Sequence, residues 1–160
     1  MSSIKIVADS TCDLSPELIR DYGITILPLN IVLDMTSYSD GEEISPDEIY
    51  VWAQANKRTP KTAAVAFDRA LALVKGMKEN QEEVIFMGIS SEMSTTCNVM
   101  RLVKEELEYD RMFIIDSRNL STGIGLQVLR AAQLAQEGRS AEEIVKEIEE
   151  ARDKVRASFV

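Results

Sequence analysis

The residues with the clearest chemical potential stand in one turn, Gly88-Ile89-Ser90-Ser91-Glu92-Met93-Ser94-Thr95-Thr96, which follows an apolar run. An amphipathic helix, Val99 to Leu107, follows it. Ser90, Ser91, Ser94, Thr95 and Thr96 carry hydroxyls. A helix start leaves backbone N–H groups without intrahelical partners, and the helix dipole favours negative charge there. Hydroxyl donors in such a turn suit an oxyanion, either a carboxylate or a phosphate. Two turns of similar make-up occur, Asp9-Ser10-Thr11-Cys12-Asp13 and Asp116-Ser117-Arg118-Asn119-Leu120-Ser121-Thr122-Gly123. Three of them in one chain suggest a shared edge that faces an anion.

Those turns need a scaffold, and the rest of the sequence supplies one. Ile4 to Ala8, Glu83 to Gly88 and Arg111 to Ile115 read as short apolar strands, each ending at one of the turns. Ser15-Pro16 and Ser45-Pro46-Asp47-Glu48 are caps with proline at the first helical position. They predict helices to about Asp21, stopped by Tyr22-Gly23, and to about Ala55. Further helices are predicted over Ala66–Lys78, Ser94–Glu108 and Thr122–Glu137, with a last one from Ser140 to about Lys154. Ile24 to Leu33 reads as one strand, with Pro28 marking an edge or irregular pairing. Tyr38 to Glu43 reads as a turn and Lys57 to Lys61 as a basic loop.

Strands alternating with helices imply an α/β domain, a largely parallel sheet flanked by helices on both faces. Ligands in such folds bind outside the carboxyl ends of the strands, where these hydroxyls cluster. The final residues, Val155-Arg156-Ala157-Ser158-Phe159-Val160, read as the opening of a strand. The expectation is one domain over residues 1–154 and, from 155, the start of a second that this chain lacks.

Composition narrows the chemistry. The 160 residues suffice for one domain burying roughly 70% of its unfolded surface. A net charge of −9 without a Lys/Arg run argues against nucleic-acid binding and against constitutive docking on an anionic membrane. No apolar stretch reaches the roughly 20 residues of a membrane span. Histidine is absent, which removes Ser-His-Asp and Cys-His catalysis from the residues of this chain. Cys12 and Cys97 lack metal-ligand spacing and read as inert reduced thiols, which fits a cytoplasmic protein. Neither a catalytic residue, a metal site nor a cofactor is expected.

Several segments have ordinary readings. Gly123-Ile124-Gly125 lacks the third glycine of a dinucleotide fingerprint and suits close helix packing instead. The charges of Glu142 to Glu150 form a solvated helix face. Met87, Met93 and Met100 are either core filler or adaptable apolar lining for a ligand, Met93 being the best placed.

Taken in order, a set of short motifs resembles the DegV family, the fatty-acid-binding subunits that work with bacterial fatty acid kinases. The matching residues are Asp9-Ser10-Thr11-Cys12-Asp13-Leu14, Pro28-Leu29, Tyr38-Ser39-Asp40-Gly41 and Thr62. Ile89-Ser90-Ser91, Ser94 and Thr96 follow, then Ile115-Asp116-Ser117-Arg118-Asn119-Leu120-Ser121-Thr122-Gly123-Ile124-Gly125. The resemblance implies a two-domain α/β protein that buries a long-chain fatty acid such as hexadecanoate between its domains. It matches Thr62 and Ser94 to the hydroxyls that hold the carboxylate. Ser91, Ser10, Thr11 and Ser117 are candidates for the head-group pocket, and Met93 for the acyl lining. Each also has a plainer reading, in which Ser94 caps its helix, Ser10 and Thr11 shape the first turn, and Ser91 satisfies backbone groups.

The resemblance also implies partners: a separate fatty acid kinase that phosphorylates the presented carboxylate to an acyl phosphate, and a transient membrane contact. A cationic contact to the head group would come from the second domain. This chain has Thr62-Ala63-Ala64-Val65-Ala66 where other members carry Thr-Ser-Gln-Pro-Ser, and Met93-Ser94-Thr95-Thr96 where Leu-Ser-Gly-Thr is preferred. Both hydroxyls survive, so the departures bear on tunnel shape and acyl preference. Two other functions fit the same turns: a phosphate- or nucleotide-binding domain, and a serine acyl hydrolase with Ser94 as nucleophile. The first lacks a Walker-type loop, and the second lacks the Gly-x-Ser-x-Gly elbow.

Overall fold

Alternating apolar side chains on the first strand set the architecture of the computed structural model, which describes residues 3–158. In β1 (Ile4–Asp9), Ile6 and Ala8 pack into one core cluster and Val7 into another. β6 (Glu83–Gly88) repeats the pattern, with Ile85 and Met87 on one face and Val84 and Phe86 on the other. A strand buried on both faces needs helices on both.

α3 (Phe67–Glu79) and α4 (Thr96–Glu106) cover one face through Val74, Met100 and Val103. The other is covered by α5 (Thr122–Gln136) and α6 (Ala141–Arg152) through Ile124, Val128, Ile144 and Ile148. With β2 (Thr25–Leu27) and β7 (Met112–Asp116) the sheet runs β2-β1-β6-β7, every pair parallel. The expected doubly covered parallel sheet is therefore present.

The capping signals work as the sequence implied. Ser15 accepts the Leu18 N–H ahead of α1 (Pro16–Asp21). Ser45 and Glu48 form a capping box at α2 (Pro46–Asn56), as do Ser140 and Glu143 at α6. The exposed acids of α6 face solvent while Ile144 and Ile148 are buried, as expected for a solvated face.

The segment expected as one strand from Ile24 to Leu33 is two. β2 ends at Leu27, and β3 (Asn30–Leu33) joins a different, antiparallel sheet of order β4-β3-β5. Pro28 has no N–H to continue the parallel ladder, and the Leu29 N–H donates to Ser10 Oγ at 3.0 Å instead. β4 (Thr36–Ser39) occupies the start of the expected turn, and β5 (Lys61–Ala63) begins at the end of the basic loop. This small sheet packs Ile31 and Leu33 with Ile44, Ile49 and Trp52.

Two further expectations shift. α4 starts at Thr96, two residues later than Ser94. Val155 to Ser158 form no strand, and Phe159 and Val160 lie outside the described residues. Met87 and Met100 are fully buried in the two cores, so neither lines a surface cleft.

Two glycines predict opposite responses. A Cβ on Gly125 would stand 2.6 Å from the Cys12 carbonyl oxygen, so α5 must move off the first turn to admit it. Gly76, inside α3, has open space. Denaturant melts should show Gly125→Ala destabilised by about 1–3 kcal/mol and Gly76→Ala stabilised by about 0.5–1 kcal/mol. Equal effects would mean that the helix does not approach the turn this closely.

Candidate functional site

The turns after β1, β6 and β7 meet at the carboxyl edge of the parallel sheet, and hydrogen bonds join them into a closed ring. The Ile89 N–H donates to Asp9 Oδ2 at 2.7 Å, linking the first turn to the second. The Ser90 N–H donates to the Asn119 carbonyl at 3.0 Å, and the Ser91 N–H to both carboxylate oxygens of Asp116 at 3.3 Å. Those bonds link the second turn to the third. Ser121 Oγ donates to Asp13 Oδ2 and closes the ring.

The remaining amides of the second turn are also used. Glu92 donates to Ser90 Oγ at 3.3 Å, while Met93 and Ser94 donate to the Ser90 carbonyl at 2.9 and 3.1 Å. The sequence predicted free backbone donors here, and the structure corrects that. From Ile89 to Ser94 every N–H has a protein acceptor, so the donors this stretch can offer a ligand are its side-chain hydroxyls. Beyond it lie the Thr95 N–H and the first-turn N–H groups of α4, of which that of Thr96 is taken by Ser94 Oγ.

Ser94 Oγ accepts the Thr96 N–H at 3.2 Å and lies 3.0 Å from Thr96 Oγ1. Thr96 is fully buried and Ser94 half-buried. When the Thr96 hydroxyl donates to Ser94 Oγ, the Ser94 O–H is left to donate outward. Sequence reasoning named Thr96 only as part of a motif. Its support of Ser94 became visible once α4 was seen to begin at that residue.

Thr62 comes from the small sheet, on β5 opposite Ile31 of β3. It lines a cleft of about 510 Å³ together with Ser91, Met93 and Ser94. Leu29, Ala63 and Ile89 add apolar wall, and among the described residues Glu92 is the one charged lining residue. Met93 is 57% exposed there.

The other candidates stand outside this cleft. Ser10 Oγ accepts the Leu29 N–H, and the Thr11 hydroxyl donates to Asp9. Ser117 is fully buried, its hydroxyl donating to the Asn119 carbonyl at 3.3 Å and accepting the Asn119 N–H at 3.2 Å. All three help build turns: the Thr11 and Ser117 hydroxyls donate within them, while Ser10 accepts from Leu29 and keeps its own O–H to donate. A second depression, of about 490 Å³, opens at the amino end of β1 and β6 among Ile4, Tyr22 and Ala132, away from the ring.

The two clamping carboxylates differ electrically. Burial raises the Asp9 pKa above its ordinary 3.8, against hydrogen bonds from Thr11 and Ile89 and with a small push from the charge of Asp40. Burial also pushes Asp116 upward, but hydrogen bonds from Arg118 and Ser91 and the charge of Arg152 outweigh it, leaving Asp116 below 3.8. Burial lifts the Cys97 thiol to about 11, with Asp116 adding to the effect, and burial raises Cys12 as well. Both thiols are protonated at neutral pH and poor nucleophiles, in line with the inert reading. Among the described residues no group of His, Cys, Asp or Glu side chains could hold a metal ion, and no helix is long and apolar enough to cross a membrane.

A parallel α/β domain whose strand-end turns converge on a hydroxyl-lined cleft is the class defined so far, and comparison with known proteins makes it specific. The family model for DegV, described as uncharacterised proteins, matches residues 3–160. A DegV domain-containing protein of Clostridium perfringens is 40% identical over 159 residues, 99% of this chain and 57% of that protein. The chain belongs to the DegV family.

Among solved structures, a fatty-acid-binding DegV family protein from Thermus thermophilus has a TM-score of 0.86 at 31% identity, covering 94% of this chain and 54% of its own. A stearic-acid-binding protein from Eubacterium ventriosum has a TM-score of 0.82 at 27% identity, covering 93% and 52%. The chain spans just over half the length of these relatives.

The opposed carboxylates give a pH signature. Asp116, with its depressed pKa, contributes stability above the ordinary range that is lost as pH falls through its folded value. Asp9 acts in the reverse sense, costing stability as pH rises through its raised value. On acidification the Ile89 amide resonance should move first, with a midpoint above 3.8, and the Ser91 amide later, below 3.8. Two-dimensional amide NMR reads both. The reverse order would mean that Asp9 is hydrated rather than buried.

Proposed function

We propose that this cleft binds the carboxylate of a long-chain fatty acid, with Thr62 and Ser94 as the hydrogen-bond donors. Ser91 adds a donor at the rim, and Met93 lies against the first methylenes. The observation that carries the reading is the convergence of Thr62 and Ser94, from two different sheets, on one cleft with an apolar wall. Fatty acid binding by the Thermus and Eubacterium relatives supports the ligand class.

Neutral donors suit a carboxylate that must react onward. A paired lysine or arginine would lower its nucleophilicity, whereas hydroxyls orient it and leave its charge exposed. In this reading the protein is a carrier and not itself an enzyme. A separate fatty acid kinase receives the presented carboxylate and converts it to an acyl phosphate. Residues 1–154 form the head-group domain, and a second domain from about residue 155 encloses the tail and brings a cation toward the head group. The carrier works in the cytoplasm and meets the membrane only to exchange lipid. A phosphate ligand is less suited, because Glu92, which lines the cleft, repels a dianion more strongly than a monoanionic carboxylate.

Mass spectrometry of lipid extracted from the purified full-length gene product tests this. The expected result is one fatty acid per protein, with retention in the Thr62→Val/Ser94→Ala variant below about a tenth of that, since two donors are lost. Unchanged retention in that variant overturns the assignment of the two hydroxyls. Lipid-free wild-type protein whose melting temperature rises with a nucleotide would favour the phosphate reading.

A further inference from the structure

Ser94 can present a donor only if the turn that carries it is held still, and the bonds that hold it come from neighbouring strands. β6 lies between β1 and β7, and each neighbour ends in an aspartate, Asp9 and Asp116. Asp9 reaches across to the Ile89 N–H at 2.7 Å, and Asp116 to the Ser91 N–H at 3.3 Å. Each also accepts an N–H of its own turn, Asp9 from Thr11 and Asp116 from Arg118, both at 2.9 Å. The two carboxylates thus fix both sides of the turn that runs into Ser94.

We infer that Asp9 and Asp116 are positioning residues for the fatty-acid carboxylate, clamping the Ile89–Ser94 turn so that the Ser94 hydroxyl meets the head group. The inference rests on the proposed carboxylate site. Neither aspartate lines the cleft, and each acts through the backbone of the turn. An ionised carboxylate suits this task because it accepts several N–H bonds at once and offers none. An asparagine in its place can accept at its oxygen only, and turns its carboxamide NH2, a donor, toward one of the backbone N–H groups. Thr62 stands on the other sheet, and the bonds that Asp116 accepts come from Ser91 and Arg118, outside that sheet.

That asymmetry makes the inference testable by a double-mutant cycle in the full-length protein, with hexadecanoate affinity as the readout. Asp116→Asn should weaken binding about tenfold alone and in the Thr62→Val background, the cost of one misplaced hydrogen bond. In the Ser94→Ala background it should cost almost nothing further. Amide exchange in the ligand-free protein should show Ser91 losing protection while the melting temperature moves little. Asp9→Asn provides a second cycle acting through Ile89, if it folds.

An equal tenfold loss in both backgrounds, or full binding by Asp116→Asn where Ser94→Ala binds weakly, overturns the clamp. Full binding by Ser94→Ala itself would instead overturn the carboxylate reading on which the clamp depends.

Discussion

The N–H groups of Ile89, Ser90 and Ser91 find their acceptors on neighbouring turns, and the whole strand-end surface depends on that arrangement. Burying the Asp9 carboxylate costs desolvation free energy, partly offset by the Ile89 and Thr11 N–H groups and the Thr11 hydroxyl. Without that acceptor the Ile89 amide would be buried and unpaired, at about 1–3 kcal/mol. Local backbone strain is held in the same ring, since Asp13, Arg118 and Ser121 all have positive φ. The Ser121–Asp13 bond ties two of those residues to each other. Turns stitched this way make a rigid rim from which a side-chain donor can project.

Much of this was legible in the sequence, for identifiable reasons. Apolar runs ending at Ala8, Gly88 and Ile115 announced parallel strands buried on both faces, and serine caps followed by proline or glutamate announced the helix starts. The Gly123-Ile124-Gly125 segment was readable as close packing, and Gly125 indeed abuts the Cys12 carbonyl. The hydroxyl cluster pointed to the carboxyl edge of the parallel sheet, where the three turns meet. Which hydroxyls were free was not readable, because that depends on long-range partners. Ser10 accepts from Leu29, nineteen residues away, and Ser117 closes on its own turn.

The small antiparallel sheet was the larger omission. β5 is three exposed residues, Lys61–Ala63, too short and too open to carry a period-two pattern. β3 was hidden inside a continuous apolar run that the sequence reads as one strand, and only the donor missing at Pro28 hints at the break. Yet this sheet supplies Thr62, so the residue that most needed a scaffold stood in the segment with the weakest structural signal. Its place in the motif order located it, where periodicity could not.

Energetics divide the work between head and tail on the proposed reading. A net hydrogen bond contributes about 0.5–1.5 kcal/mol, so two hydroxyls give modest affinity. Each buried methylene contributes about 0.8 kcal/mol, so a long acyl chain outweighs the head group several-fold. Leu29, Ala63, Ile89 and Met93 can shield only the first carbons. Affinity must then come mainly from surface beyond this cleft, and the cleft contributes orientation. Orientation is a matter of tolerance rather than strength, since a donor displaced by an ångström loses much of its directional bond. A domain built for orientation should therefore invest in fixing its donors, and here two buried or half-buried carboxylates and six consecutive satisfied amides hold one serine in register.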